Sequence, residues 1–483
     1  MKNPRHYFLI SIFFVSVAFS QSYEIEWTRT YGGPLEENGH RVHQTADEGY
    51  IISGYTKSLG AGESDAWLLK TNADGDTSWT KTFGGETWDW GQDVLQTEDG
   101  GYLLVIRCYS FGHGYYDAWI IKTDPQGDTL WTKFWGEEPH EWLSSVQHTD
   151  DGGYIFAGHT YSFGAKSQDV WLVKSDSTGE ILWMKTYGGE LDDNASFVQQ
   201  TSDGGFIIIG RTYSYSEGGS DIWLVKTNSA GDTLWTRAFG GMDFDYGVTV
   251  RQSNDEGYIL VGSTSSFGAG ELDIWLIRTD TMGNTLWTRT FGGSDIDRPF
   301  SLIQLSDGNY LIGGVTNSTG IGFNEGWLIL TDPNGDTLWT QTLGGEWDDI
   351  IMDCEETSDG ELIITGYTDV EDENADLWLM KITVDPAVSV QKKMPQAPFR
   401  LYQNYPNPLI SKTIVSYDIP GDGPVQLRLF NARGQEIRVL EDSYKQAGSY
   451  QYELNLSGFS HGLYFISLEY EQHVSTIKLN LIK

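Results

Sequence analysis

Trp79-Thr-Lys-Thr-Phe83, Gln92-Asp-Val-Leu-Gln-Thr97, Tyr102-Leu-Leu-Val-Ile106 and Asp117-Ala-Trp-Ile-Ile-Lys122 decide the fold. They are four short runs rich in β-branched, aromatic and apolar residues, each ended by turn residues: Gly84-Gly85, Asp99-Gly100, then Asp124-Pro-Gln-Gly127-Asp128. Glycine supplies the positive φ that tight hairpins need, so the pattern predicts antiparallel strands joined mostly by hairpins. The run after each Asp-Gly turn is apolar at consecutive positions, as at Ile207-Ile208-Ile209, which suits a strand covered on both faces.

The unit repeats. Trp27, Trp79, Trp131, Trp183, Trp235, Trp287 and Trp339 are each 52 residues apart. Trp67, Trp119, Trp171, Trp223, Trp275, Trp327 and Trp378 keep the same step with one deletion at the end. The two series take 14 of the 19 tryptophans, so most indoles serve construction. Four antiparallel strands recurring about every 50 residues predict a seven-bladed β-propeller over 21–383. The seventh unit lacks its own last strand, and Glu24 to Tyr31 is expected to supply it and remove the open edges. In period, turn-then-Trp order and double glycines the repeats loosely resemble the kelch type, which implies architecture and no function.

Before the repeat, Lys2, Arg5 and His6 precede an apolar run from Tyr7 to Phe19 and the small-x-small site Ala18-Phe19-Ser20. This order reads as a secretory signal peptide over 1–20, and no later segment is long and apolar enough to span a membrane. After the repeat, Pro386, Pro395, Pro398 and Lys392-Lys393 mark 384–400 as an exposed linker. Residues 401–483 show short alternating strands, a small Ig-like β-sandwich. They carry Leu401-Tyr-Gln-Asn-Tyr-Pro-Asn-Pro408, Phe430-Asn-Ala-Arg-Gly-Gln-Glu436, Gly462-Leu-Tyr464 and a terminal Lys483. This ordered set resembles the type A sorting domain of the type IX secretion system of Bacteroidota and relatives, with Leu409 where an aromatic is usual. The resemblance implies Sec export, passage through the outer membrane by that machinery, and a secreted or surface-attached body.

Charge narrows the partners. Residues 21–383 hold 59 acids against 19 bases, a net of -40. Such a body repels phosphate backbones and anionic membranes, which excludes nucleic acid and leaves cations, neutral sugars or proteins. Cys108 and Cys354 fall in different units and are expected as separate buried thiols. A monomer is expected.

Three acidic positions recur in every unit. The first, Glu37, Asp89, Glu141, Asp193, Asp245, Asp297 and Asp349, is expected either to accept loop N–H bonds or to line a channel mouth and bind Ca²⁺. The others, of which Asp99 and Asp117 are examples, suit turn and loop capping. No cofactor is otherwise expected.

Recognition is sought where the repeat departs from itself. Just past the Gly of the second strand the units read Tyr55, Arg107, His159, Arg211, Ser263, Val315 and Tyr367. Trp88, Trp90 and Trp142 are expected in loops entering the inner strand, and Tyr115 and Tyr116 in the loop after the second. Aromatics beside polar groups are how a surface holds a sugar ring or a partner's apolar anchor. The ligand-binding candidates are therefore Trp88, Trp90, Trp142, Arg107, His159, Arg211, Tyr115 and Tyr116. No catalytic constellation stands out, and His40-x-x-His43 alone is no zinc site. A non-catalytic binding face for glycan or protein is the leading expectation. A lyase or glycosidase using the rim Arg and His residues is the alternative, and a purely structural adhesin is a third.

Overall fold

The computed structural model describes residues 23–384 and 399–482, apart from 113–114, 138–139, 165–166, 321–322, 346, 371–373, 403, 405–406, 408, 410, 420–422, 446–447 and 471–472. The expected signal peptide, nearly all of the expected linker and much of the Asn-Tyr-Pro-Asn-Pro opening lie outside the described residues. The chain forms two compact units, Met1–Ser389 and Val390–Lys483. It is all-β, and among the described residues there is no helix to cross a membrane.

The first unit contains seven four-stranded antiparallel sheets. One consists of Asp89–Gln96, Tyr102–Cys108, Asp117–Thr123 and Thr129–Trp135 in sheet order. The last is Asp349–Glu356, Leu362–Val370, Asn374–Val384 and then Tyr23–Tyr31, so the first strand of the chain completes the final sheet. In that pairing Thr28 faces Met380 and Thr30 faces Trp378.

Turn chemistry explains each hairpin. Asp99 Oδ1 accepts the Thr97 hydroxyl at 2.6 Å and the Gly101 N–H at 3.0 Å. The buried Lys122 ammonium reaches the same oxygen at 2.9 Å and also donates to the Thr123 carbonyl. Asp124 Oδ1 accepts the N–H groups of Gln126 and Asp128, both at 2.9 Å, closing an Asx turn around Gly127.

The first tryptophan series has a specific task. Six of the seven indoles, all but Trp339, cover the hairpin glycine of the next sheet: for example, Trp27 lies on Gly75, Trp79 on Gly127, Trp183 on Gly231 and Trp287 on Gly335. Gly231 has φ +76°, and a Cβ there would sit 2.8 Å from the Trp183 ring. Gly231→Ala is therefore expected to destabilise the unit by about 2 kcal/mol, from left-handed strain plus displacement of the ring. The urea midpoint should fall with an unchanged m-value; an unchanged midpoint would refute the packing role.

The core lies between sheets, not within them. Ile51, Ala66 and Leu68 of the first sheet join Val94, Leu104 and Trp119 of the second. Further clusters fill each successive gap. Val42, Ile52 and Leu69 of the first sheet then join Ile363, Leu377 and Leu379 of the last, so the succession returns to its start. Each innermost strand contributes to one cavity of about 210 Å³, through Arg41, Asp93, Gln147, Phe197, Arg251, Ser301 and Asp353. Cys108 and Cys354 are free and buried.

In the second unit, Arg400–Leu401, Lys412–Ile419 and Gly448–Asn455 form one sheet. Glu436–Lys445, Gly423–Asn431, Gly462–Tyr470 and His473–Leu481 form the other. Val415 and Tyr417 of the first sheet share a core with Leu427, Leu429, Ile466 and Leu479 of the second.

Candidate functional site

Antiparallel register, not loop position, assembles the irregular residues. Trp90 pairs with Arg107, Trp142 with His159, and Asn194 with Arg211. These residues were expected in loops and on a rim. Instead Trp90 and Trp142 stand second in their innermost strands, and Arg107, His159 and Arg211 stand next to last in the second strands. Trp88 alone of the three tryptophans precedes its strand, in a bridge to Ser64.

Arg107 is the centre of the cluster. Its guanidinium carbon lies 4.2 Å from the Trp142 ring, 4.3 Å from Tyr116, 5.0 Å from Tyr109 and 5.6 Å from Trp90. A cation among aromatic faces is held by their quadrupoles, more strongly as water is excluded. Trp142 comes from the neighbouring sheet, so the cage bridges two sheets. Around it, His140 stacks on Tyr116 at 4.4 Å, Tyr115 lies 5.1 Å from His140, and Trp142 meets His159 edge-on at 5.3 Å. Trp88 packs edge-on against Tyr109 at 5.9 Å. Seven of the eight expected residues thus share one contiguous cluster. Arg211 stands beside it, over Tyr213 at 5.5 Å, with the Asn194 amide oxygen oriented to accept from its Nε at 2.8 Å. Tyr109, another aromatic at which the repeat departs from itself, belongs to the cluster, as does His140, which the sequence did not single out.

Four buried polar atoms in this cluster have no hydrogen-bond partner among the described residues: Arg107 Nε, Trp142 Nε1, His140 Nδ1 and His159 Nε2. Such groups are rare in folded proteins, and each is costly to leave unmade. Trp88 and Tyr115 are 46% and 76% exposed, so the cluster reaches the surface. A cluster of one guanidinium and several rings, with Trp88 and Tyr115 at the surface, can stack a planar or ring-shaped ligand.

Burial, then the charges of Arg107 and Arg211, push His159 down to about 3. A base whose folded pKa lies below its unfolded value near 6.5 leaves the unfolded chain binding more protons in acid. Stability is therefore lost as pH falls through 6.5 towards 3. His159→Gln is expected to remove about 2 kcal/mol of the destabilisation that accompanies a shift from pH 7 to pH 5. Parallel urea titrations of both chains check this; identical pH dependence would refute it.

The first acidic ring is engaged in its own loops. Glu37, Asp89, Glu141, Asp193, Asp245, Asp297 and Asp349 each accept the backbone N–H four residues earlier, at 2.7–3.0 Å. Several also take a serine or threonine hydroxyl from the loop or strand end that follows the second strand. Among the described residues no three His, Cys, Asp or Glu are grouped to hold a metal ion. The geometry is that of loop clasps, the first of the two roles expected for this ring.

A second arrangement escaped the sequence reading. Innermost-strand positions spaced by 52 read Arg41, Asp93, Ser145, Phe197, Thr249, Ser301 and Asp353. Nearly all of them line the 210 Å³ cavity together with His43, Arg251 and Glu355. Burial alone would lower His43, but its hydrogen bond to Glu355 at 2.8 Å and the nearby carboxylates raise it to about 9. His40 instead meets the Gly91 carbonyl at 2.7 Å, so the two histidines serve different partners.

Comparison with known proteins bears mainly on the second unit. Residues 403–483 match the family model described as the secretion system C-terminal sorting domain. The chain carries a type IX sorting domain. It is marked for export by that machinery to the cell surface or extracellular space, and the domain engages the machinery. A stretch of 215 residues is 26% identical to the regulatory protein FlaEY of Caulobacter vibrioides, covering 39% of this chain and 22% of that protein. The chain therefore spans about a fifth of that relative's length. Among solved structures, puromycin hydrolase aligns with TM-score 0.47 and 13% identity over 81% of this chain and 61% of its own. A protein of unknown function from Dyadobacter fermentans aligns with TM-score 0.41 and 10% identity over 61% of this chain and 94% of its own. At such TM-scores neither likeness bears on activity.

Proposed function

We propose that residues 21–383 form a seven-bladed, 52-residue-repeat β-propeller that acts without catalysis as an exported binding module, with 1–20 removed as a signal peptide. The sheets are its blades, 384–400 is the linker, and 401–483 is the sorting module. The binding face lies on blades two to four, around Arg107, Trp142, His159, Trp90, Trp88, Tyr115, Tyr116 and Arg211. Its ligand is a glycan, whose ring stacks on the exposed aromatics Trp88 and Tyr115.

The observation that supports this reading is the four-ring cage around Arg107, with buried polar atoms left open beside exposed aromatics. Construction alone leaves the other sheets without such a cage. The fold needs no cofactor for this role.

Glycan-array binding by the mature chain, with and without EDTA, tests the proposal. Binding that survives EDTA is expected. Binding lost with EDTA would restore calcium to the site, capture of peptides alone would make the ligand a protein, and release of cleaved sugar would make the chain a carbohydrate-active enzyme.

A further inference from the structure

The cavity that all seven innermost strands line contains two arginines from sheets that are not neighbours. Arg41 lies in Glu37–Gln44, and Arg251 in Asp245–Gln252. Arg251 is held with its guanidinium carbon 4.3 Å over the Phe197 ring, itself buried. Among the described residues no carboxylate lies within ion-pair distance of Arg251 and no acceptor takes its N–H groups. Arg41 has one ion pair, to Asp353 at 3.9 Å, which is beyond hydrogen-bond length.

The acids of the cavity are otherwise engaged. Asp353 accepts the Val42 N–H at 3.2 Å and the Ser301 hydroxyl at 2.9 Å. Asp93 accepts the N–H groups of Val94 and Val146, at 2.9 and 2.8 Å. Glu355 bonds His43. Two guanidiniums, with ten N–H donors between them, therefore line about 210 Å³ of space, and among the described residues no protein acceptor takes a hydrogen bond from either. A guanidinium presents a planar fork that matches a carboxylate in two parallel bonds.

We infer that this cavity is a binding site for a small carboxylate, held between Arg41 and Arg251. The class follows from the lining. Asp93, Asp353 and Glu355 are balanced by Arg41, Arg251 and His43, which is protonated beside Glu355, so the lining is near neutral and accommodates a single negative charge better than a dianion. Phe197 and Ile303 offer apolar surface to a short carbon chain. The site is separate from the Arg107 cage, and its fate does not depend on the glycan reading.

The test is calorimetric titration of the full chain with acetate and glycine, against inorganic phosphate at equal ionic strength, to about 10 mM as suits ligands of so few atoms. Acetate or glycine is expected to bind at one site per chain, with phosphate weaker. Arg251→Met should weaken that binding roughly tenfold or more, and Arg41→Met similarly. If Arg251→Met does not fold, Arg251→Lys carries the test: it keeps the charge and loses the fork, so affinity should still fall several-fold while the melting temperature is kept. Absence of binding by the unaltered chain, tighter binding of phosphate than of either carboxylate, or unchanged affinity in folded arginine variants would overturn the inference.

Discussion

A chain lacking Tyr23–Tyr31 is expected to lose the folded first unit altogether, not merely to soften at one end. That strand is the outer edge of the last sheet, paired with Asn374–Val384 over eight positions. Tyr23 packs against the cluster of the last two sheets, and Trp27 and Tyr31 against the cluster that joins first and last. The Trp378 indole donates to the Thr28 hydroxyl at 2.7 Å, and Trp27 covers Gly75. Three such side chains contribute about 1.5–3 kcal/mol each. Their loss, with a row of unpaired strand groups, approaches the roughly 5–15 kcal/mol by which whole domains are stable. Circular dichroism melting should show no cooperative transition from the first unit in the truncated chain. A truncated chain that melts as the intact one does would mean that the closing strand is ornamental.

Second in size is the effect of opening the Arg107 cage. Arg107→Met keeps the stem but removes the charge and the buried Nε, and Trp142→Ala removes the wall contributed by the neighbouring sheet. Each is expected to weaken binding of a glycan found on the array by roughly 10- to 100-fold, as loss of a central aromatic or arginine anchor does. Leu234→Ala, at an exposed position on an outer strand elsewhere, should leave affinity unchanged. Arg107→Met trades a half-buried cation for an apolar side chain of similar length, so its melting temperature should move little. If both cage variants fold and bind as the unaltered chain does, the recognition face lies elsewhere.

The strands and their order could be read from the sequence because turn chemistry is local. Asp99 with Gly101, and Asp124 with Gly127, impose their hairpins from a few neighbouring residues. The tryptophan step signalled sheets in series, since six of the seven indoles meet a glycine of the next unit. The members of the recognition cluster were also visible, as departures from a regular column. Their placement was not. Whether Trp90 lies in a loop or a strand, and whether it faces Arg107, depends on antiparallel register, which a repeat length does not encode.

The arginine cavity was hidden for a related reason. Every innermost strand has a register shift after its third residue, as between Gly39 and Arg41. A bulge breaks period-two alternation, so the face of Arg41 or Asp353 cannot be counted from the strand's start. Reading the column Arg41, Asp93, Phe197, Asp353 as irregular would have flagged it, since a purely constructional position has no reason to vary in charge. The acidic ring was legible by the same local logic as the turns: seven repeated carboxylates were expected to accept loop N–H bonds, and each closes its own loop through the N–H four residues earlier.

Hydrogen–deuterium exchange of the full chain, followed through Tyr23–Tyr31 and its partner Asn374–Val384, tests the closed arrangement most directly. Protection of both segments as strong as that of Thr233–Phe239 and Asp221–Thr227 in an internal sheet is the predicted result. Exchange of Tyr23–Tyr31 at the rate of a free tail would contradict closure, and with it the central cavity.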